Sequence, residues 1–429
     1  MQINKITIQN FRNIEEETTF ELHPRFTAII GVNGKGKSAI LHALRVACGA
    51  FFFINPDVKK WHIRPDEIRL KSLEKHLTPQ KPVKVEAEGL FPEESNPIIW
   101  RRQILENTSS TTSKRDDVGN IRRIAEEKYQ SITKQGNDKV SLPVIGFFGT
   151  SRAHGAGRNR VPRTGRQIFK DGYKDWYELK STTFQFNGWL GSYDILEKHG
   201  KEYSNTKKAF FETLKKANRY IRNVEFIGQE LWLQVEVEGT LSDFLPISYH
   251  SDGIRFFTQM VAELAYRCIV LNGYLDYAAI TESRGIVMID ELDLHLHPNW
   301  QRHVVNDLKE AFPNLQFVAT THSSFIVQSL TKKEIINLDG KGLESDPLRY
   351  GIEDVSEGEM YVSDVARSEP FKERVEVATK YYQLIADNNG KSQEEIESLR
   401  QQLNEMEERF SEDPVFVAQL RLERKAKKI

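Results

Sequence analysis

Apolar residues recur through residues 1–30 at strand-like spacing, with Ile3, Ile6 and Ile8 followed by Phe20 and Leu22. This pattern predicts early strands of an antiparallel lobe with one buried face. Val83-Lys84-Val85-Glu86-Ala87 and Ile98-Ile99-Trp100 read as further strands of that lobe. Four other runs are apolar without alternation: Ala28-Ile29-Ile30, residues 143–148, Ile286 to Ile289, and Phe317-Val318-Ala319. Such runs predict strands covered on both faces. Helical spacing begins at Lys37, where Ile40, Leu41 and Leu44 share one face, and a long apolar helix is expected over Phe256 to Val270.

Residues 175–222, opened by Phe184, Phe186, Trp189 and Leu190, read as helical. Residues 106–138, with their Ser/Thr runs, read as loop with a short helix and some disorder. Near the C-terminus, Ile396, Leu399, Leu403, Met406 and Phe410 form a stripe of only two heptads on a charged helix. A turn at Pro414 and a short helix over Val415 to Leu422 are expected to follow. The stripe suits packing on the chain's own core or docking of a partner, and both readings stay open. The resulting division is 1–150, 151–280, 281–340 and 341–429.

A chain of 429 residues is long enough for two or three subdomains. With 60 Lys and Arg against 61 Asp and Glu, the net charge is −1, so any nucleic-acid surface must be local. Cys48 and Cys268 both lie in apolar helical surroundings and are expected buried and reduced. Met1-Gln2-Ile3-Asn4-Lys5 lacks a signal-peptide core, and no run is long enough to span a membrane. A bacterial cytoplasmic protein is expected.

Two segments carry the chemistry. Gly31-Val32-Asn33-Gly34-Lys35-Gly36-Lys37-Ser38 fits G-x-x-x-x-G-K-[ST] between a strand and a helix, the context of a phosphate-binding loop. The residues Asn33, Gly34, Lys35, Gly36, Lys37, Ser38 and Ala39 are expected on the nucleotide. Lys37 would reach the β/γ-phosphates, and Ser38 would ligate Mg²⁺. The second segment, Gly285 to Glu291, is a buried strand that ends in two carboxylates. Asp290 is expected to hold the Mg²⁺ and Glu291 to polarise the attacking water. A nucleoside triphosphate and Mg²⁺ are therefore the implied ligands.

On these residues the chain resembles the ABC-type ATPases of the SMC, RecF and OLD group. Asp290-Glu291 is similar to their Walker B pair, Asp293 to their D-loop, and Thr320-Thr321-His322-Ser323 to their H-loop. Asn10-Phe11-Arg12-Asn13 resembles their opening motif, with Arg12 near the nucleotide. Ser251-Asp252-Gly253-Ile254-Arg255 resembles their signature, carried by the helical lobe. The resemblance implies an α/β fold: an ABC-type P-loop ATPase head, with a mixed sheet, an antiparallel β lobe, an inserted helical lobe and a C-terminal helical segment. It implies ATP as the nucleotide, His322 sensing the γ-phosphate, and Ser251 and Gly253 completing the site of an opposite subunit. A head-to-head homodimer around two ATPs, or a higher oligomer, follows.

The chain departs from the group's pattern at Lys35, His250 and Ile254, and no Q-loop glutamine is placed beyond a weak candidate, Gln103. The span between P-loop and signature holds no sustained heptads, so no long coiled-coil arm is expected. Glu357-Gly358 has neither a leading apolar strand nor a following Asp-x-Asp, so no Toprim nuclease is expected. His295 and His297 read as part of the D-loop turn rather than as a metal site.

A basic stretch holds Arg152, Arg158, Arg160, Arg163, Arg166, Lys170 and Lys174 beside Tyr173 and Trp176. It suits DNA or RNA contact, a solvated loop, or nucleotide contact, and all three stay open. The compact head without a nuclease most resembles the ATPase subunits of Septu-type antiphage systems, which implies a separate HNH nuclease as partner. A RecF-like DNA-repair clamp and a nucleotide-gated scaffold with negligible turnover remain alternatives.

Overall fold

The computed structural model describes the chain apart from residues 74–75, 113, 154–167, 181–183, 199–204, 341, 363–368, 387–392, 412 and 427–429. In chain order the first elements are β1 (Gln2–Gln9), β2 (Thr18–Glu21), β3 (Phe26–Ile30), α1 (Lys37–Cys48), β4 (Leu70–Leu73) and β5 (His76–Pro79). They are followed by β6 (Val83–Leu90), β7 (Ile98–Ile104), α2 (Arg115–Thr133), β8 (Val144–Phe148), α3 (Ile168–Gly172), α4 (Phe186–Lys198) and α5 (Asn205–Ala217). Next come β9 (Ile221–Ile227), β10 (Glu230–Val237), β11 (Thr240–Leu241), β12 (Leu245–Pro246), α6 (Asp252–Asn272), α7 (Ala279–Glu282) and β13 (Gly285–Ile289). The last are α8 (Pro298–Gln301), α9 (Val304–Ala311), β14 (Leu315–Thr320), α10 (Ser324–Gln328), β15 (Ile335–Asn337), α11 (Ile352–Gly358), α12 (Glu369–Ala386), α13 (Gln393–Arg409) and α14 (Pro414–Ala426).

A five-stranded sheet of order β15-β3-β14-β13-β8 forms the centre, and all its pairings are parallel. Strands β3, β8, β13 and β14 are buried at every position, as their unbroken apolar runs require. Strands β2-β1-β6-β7 make the antiparallel lobe. There the burial of β6 alternates strictly, with Val83, Val85, Ala87 and Gly89 facing inward. Helix α1 lies between the two sheets, with Ile40, Leu41 and Leu44 fully buried and the Trp100 indole donating to the Ala47 carbonyl.

Three regions differ from the sequence expectation. Residues 106–138 contain a 19-residue helix, α2, longer than the short helix expected. Val118, Ile121, Ile124 and Ala125 give it one buried face, so a sparse stripe sufficed once β7 lay beneath it. Among the described residues of 175–222 the helices are α4 and α5, and Ile221 opens strand β9. Strands β9 to β12 then form a small antiparallel sheet that was not read from the sequence. None of the helices among the described residues is long and apolar enough to cross a membrane. Cys48 and Cys268 are buried free thiols, and burial pushes both thiol pKa values up.

Residues 362–429 form a separate compact unit. Tyr381 of α12, Leu403 of α13 and Leu420 of α14 make its core. Glu407 is buried there and accepts from the Tyr381 hydroxyl at 2.6 Å, from Arg421 at 2.8 Å and from Arg424 at 3.0 Å. In the C-terminal stripe, Leu403 is thus used within this unit, with Met406 packed against the same core.

Candidate functional site

Strand β3 ends at Ile30, and the chain winds through the glycine loop before α1 begins at Lys37. Gly31, Gly34 and Gly36 take φ values of 147°, 86° and 108°, a region that L side chains rarely enter. A Cβ on Gly36 would in addition meet the Asn13 amide oxygen at 3.1 Å. Asn13 itself donates its amide to the Gly34 carbonyl and so holds the loop from the β1 side.

The Lys37 ammonium donates to the carbonyls of Gly31 at 2.6 Å and Val32 at 3.3 Å, which pins it across the loop. Burial lowers its pKa, and Asp339, Asp290, Glu291 and Asp293 pull it back up. Lys35, the unusual residue of the motif, points elsewhere. Its ammonium lies 4.0 Å from Asp339, whose other carboxylate oxygen accepts from the Val32 amide at 2.9 Å. An acid beyond β15 thus buttresses the loop, and Lys35 pairs with it.

Strand β14 lies between β3 and β13, so its last residue falls between the P-loop and the acidic turn. Thr320 uses that place: its hydroxyl donates to Asp290 Oδ1 at 2.6 Å and accepts from the Glu291 amide at 2.7 Å. Ser38 donates to the same Asp290 oxygen at 3.1 Å. Three hard oxygens therefore converge at the mouth of the loop, a donor set that suits Mg²⁺.

Glu291 follows with φ 52°, a left-handed conformation for a non-glycine residue. Arg152 holds this turn from below, donating to the backbone carbonyls of Asp290 and, at 2.6 Å, of Glu291. Burial lowers the Arg152 pKa to about 10, against the pull of Asp290, Glu291 and Asp293, so the guanidinium stays charged at neutral pH. Further on, Asp293 accepts from the Thr321 hydroxyl at 2.6 Å and from the His322 amide at 3.1 Å, which ties the D-loop to the H-loop.

Arg12 also has a left-handed backbone, φ 53°, and its amide donates to the Glu67 carbonyl at 2.7 Å. Its guanidinium lies 3.7 Å from the Glu67 carboxylate, which is fully buried and also lies 3.5 Å from Arg45 of α1. Burial raises the Glu67 pKa, opposed by the Arg64 amide and by Arg45 and Arg12. Arg45 in turn contacts the His42 ring and stacks over Trp61 at 4.1 Å.

A cavity of about 610 Å³ is lined by Arg12, Asn13, Asn33, Gly34, Gly36, Lys37, Ser38, Ala39, Asp290, Glu291, Thr320 and His322, with Asp66, Ile68 and Leu70 at one side. Lys35, Asp293, Ser251 and Gly253 do not line it. Ser251 precedes α6, is exposed, and does not cap that helix with its hydroxyl. A Cβ on Gly253 would lie 2.3 Å from the His295 carbonyl, so only glycine lets α6 sit against the D-loop. His295 packs its ring on Phe256, and His297 caps α8 through the Asn299 amide. His250 contacts the Leu233 carbonyl, an anchor for the residue that departs from the family pattern.

The structure narrows two readings that the sequence left open. Arg152, Tyr173 and Trp176 are buried, so they cannot form a stacking surface for nucleic acid. Tyr173 bonds the Pro143 carbonyl, and Trp176 bonds the Lys59 carbonyl. Arg158, Arg160, Arg163 and Arg166 lie outside the described residues, while Lys170 and Lys174 are exposed. Gln103, the weak Q-loop candidate, donates its amide to Asp117 of α2 at 2.9 Å. Sequence reasoning assigned no role to Asn13, Glu67, Thr320 or Asp339, and it grouped Arg152 with the basic stretch. Thr320 and Asn13 did stand inside quoted motifs, whereas Glu67 and Asp339 carried no local signal.

A family model described as AAA domain matches residues 5–232, more than half of the chain, and a second AAA-domain model matches residues 170–328. The retron Vc95 probable ATPase of Vibrio cholerae serotype O1 biovar El Tor is 24% identical over 386 residues, 78% of this chain and 73% of that protein. Septu protein PtuA of Bacillus mycoides (strain KBAB4) is 23% identical over 422 residues, 94% of this chain and 51% of that protein. The chain thus spans only about half the length of that Septu relative. Among solved structures, an SMC head domain from Thermotoga maritima aligns with 77% of this chain and 92% of its own, at 14% identity and a TM-score of 0.42. The chain belongs to the AAA-domain family of P-loop ATPases.

Proposed function

We propose that this chain is the ATP-hydrolysing subunit of an antiphage defence complex. The observation that carries the ATPase reading is the meeting of Ser38, Asp290 and Thr320 beside Lys37 and Glu291 at the mouth of one glycine loop. Lys37 and the loop amides would hold the phosphates, with Asn33, Gly34, Gly36 and Ala39 forming the cradle. Ser38 and Asp290 would hold Mg²⁺, which neutralises charge on the β- and γ-phosphates when bound. Glu291 would polarise the attacking water, and His322 would contact the γ-phosphate. Arg12, held by Glu67, would lie over the nucleotide at the lobe side.

The defence role is supported by the likeness to Septu PtuA and to a retron ATPase. In this reading the chain regulates a separate, PtuB-like HNH nuclease and cuts nothing itself. Dimerisation head to head is supported by Ser251 and Gly253, which lie outside their own chain's cavity while Ser251 faces solvent. Each would complete the site of a second copy. ATP turnover by wild type and by Glu291→Gln tests the core of this reading. Loss of a general base costs on the order of 100- to 10,000-fold. Equal turnover in the two proteins would refute the assignment. Co-purification of the Glu291→Gln form with the products of its neighbouring genes, with ATP present, tests the partner: an HNH nuclease is the expected companion.

A further inference from the structure

We propose that Arg152 is a positioning residue for the water-polarising carboxylate, setting the shape of the Asp290-Glu291 turn without touching nucleotide. This rests on the ATPase reading. Parallel pairing of β8 with β13 brings the ends of the two strands side by side, Phe148 opposite Ile289, and the Asp290 amide donates to the Phe148 carbonyl at 2.8 Å. The chain leaving β8 then coils through Thr150–Ala153, so Arg152 turns back beneath the end of β13. One guanidinium nitrogen bonds the carbonyls of Asp290 and Gly149, and the other bonds the Glu291 carbonyl at 2.6 Å.

Glu291 needs such a clamp. Its φ of 52° is unfavourable for a residue with a Cβ, and that angle fixes the direction in which its side chain leaves the turn. From above, Thr320 accepts the Glu291 amide, and from below Arg152 binds the carbonyl of the same residue. The peptide units on both sides of Glu291 are thereby held. The planar fork of arginine spans two adjacent carbonyls, which the single ammonium of lysine cannot do with the same geometry. A buried cation beneath three carboxylates also offsets their mutual repulsion.

The test compares Arg152→Gln and Arg152→Lys with wild type in Mg-ATP turnover and in binding of a fluorescent ATP analogue. The expected result is a fall in kcat of roughly 30-fold or more for Gln, a smaller fall for Lys, and a Kd within about threefold of wild type. In a Glu291→Gln background, Arg152→Gln should add little, because the two act as one unit. Retention of more than half the turnover by a folded Arg152→Gln protein would overturn the proposal, as would parallel loss of binding and turnover. Should Arg152→Gln not fold, the Lys variant carries the same test: wild-type turnover from it overturns the proposal. Hydrogen exchange at Leu292 and Leu294 separates this from failure of the ATPase reading. If wild type and Glu291→Gln turn over equally, the ATPase reading falls, and unchanged exchange in the variants overturns the role of Arg152 on its own.

Discussion

At the end of β13, Asp290 accepts from Ser38 and Thr320, Asp293 accepts from Thr321 and the His322 amide, and Arg152 binds two carbonyls of the turn. At the start of α6, Ser251 is exposed, its hydroxyl caps nothing, and the neighbouring Tyr249 keeps 77% of its surface accessible. Both regions belong to the same compact unit, and they touch where Gly253 meets the His295 carbonyl. The first is organised by its own chain. The second has a rigid base and a free face. Under the proposed head-to-head association, the contrast predicts that mutation will separate nucleotide binding from the pairing of two heads.

The largest effect is expected from Lys37→Ala. It removes an ammonium fixed by two carbonyls, and ATP affinity should fall roughly 100-fold, as for a loss of about 3 kcal/mol of charge-assisted bonding. Unchanged affinity in a nucleotide titration would break the P-loop half of the comparison. Ser251→Arg should instead leave ATP binding by the single chain within about twofold of wild type, since Ser251 lines no part of its own cavity. It should abolish ATP-driven dimers in sedimentation, and normal dimers would count against a face completed by a second copy.

Gly253→Ala sharpens the contact between the regions. A Cβ there would meet backbone at 2.3 Å, so α6 or the D-loop must shift, with an expected destabilisation of about 1–3 kcal/mol. A thermal midpoint equal to wild type would show that the contact is loose. Thr320→Val removes one hydroxyl that serves both Asp290 and Glu291, and turnover should fall by roughly tenfold, the worth of a hydrogen bond or two.

The smallest effect concerns pH. Burial and the nearby Arg45, Arg12 and Arg64 lower the His42 pKa to about 2, so the folded chain keeps this ring neutral. The unfolded chain protonates it near 6.5, so below that pH the unfolded state binds the extra proton and stability falls. His42→Gln should flatten the decline in thermal midpoint between pH 6.5 and pH 5. Identical slopes would show that the ring gains its proton without cost.

Legibility from the sequence followed the range of the interactions. The P-loop was readable because its phosphate cradle demands glycines at fixed offsets from a strand and a helix, all within a few residues. The order of the motifs indicated the fold class, and the apolar runs of β3, β13 and β14 marked them as doubly covered. The basic stretch left three readings open because Arg152, Tyr173 and Trp176 show in the sequence only their charge and aromatic neighbours. The aromatic bulk of Tyr173 and Trp176 is instead spent in the core beside Phe52.

The residue types, their spacing and the alternation of apolar positions by themselves determined that this chain builds a P-loop head with an acidic strand end. Local backbone geometry and burial periodicity act over a few residues, and sequence records them directly. Only the tertiary structure decided that Ser38 and Thr320 meet on one oxygen of Asp290, that Asp339 is the partner of Lys35, and that Arg152 lies beneath Glu291. Those pairings depend on strand order and parallel register, which bring together residues far apart in the chain, and no local pattern encodes them.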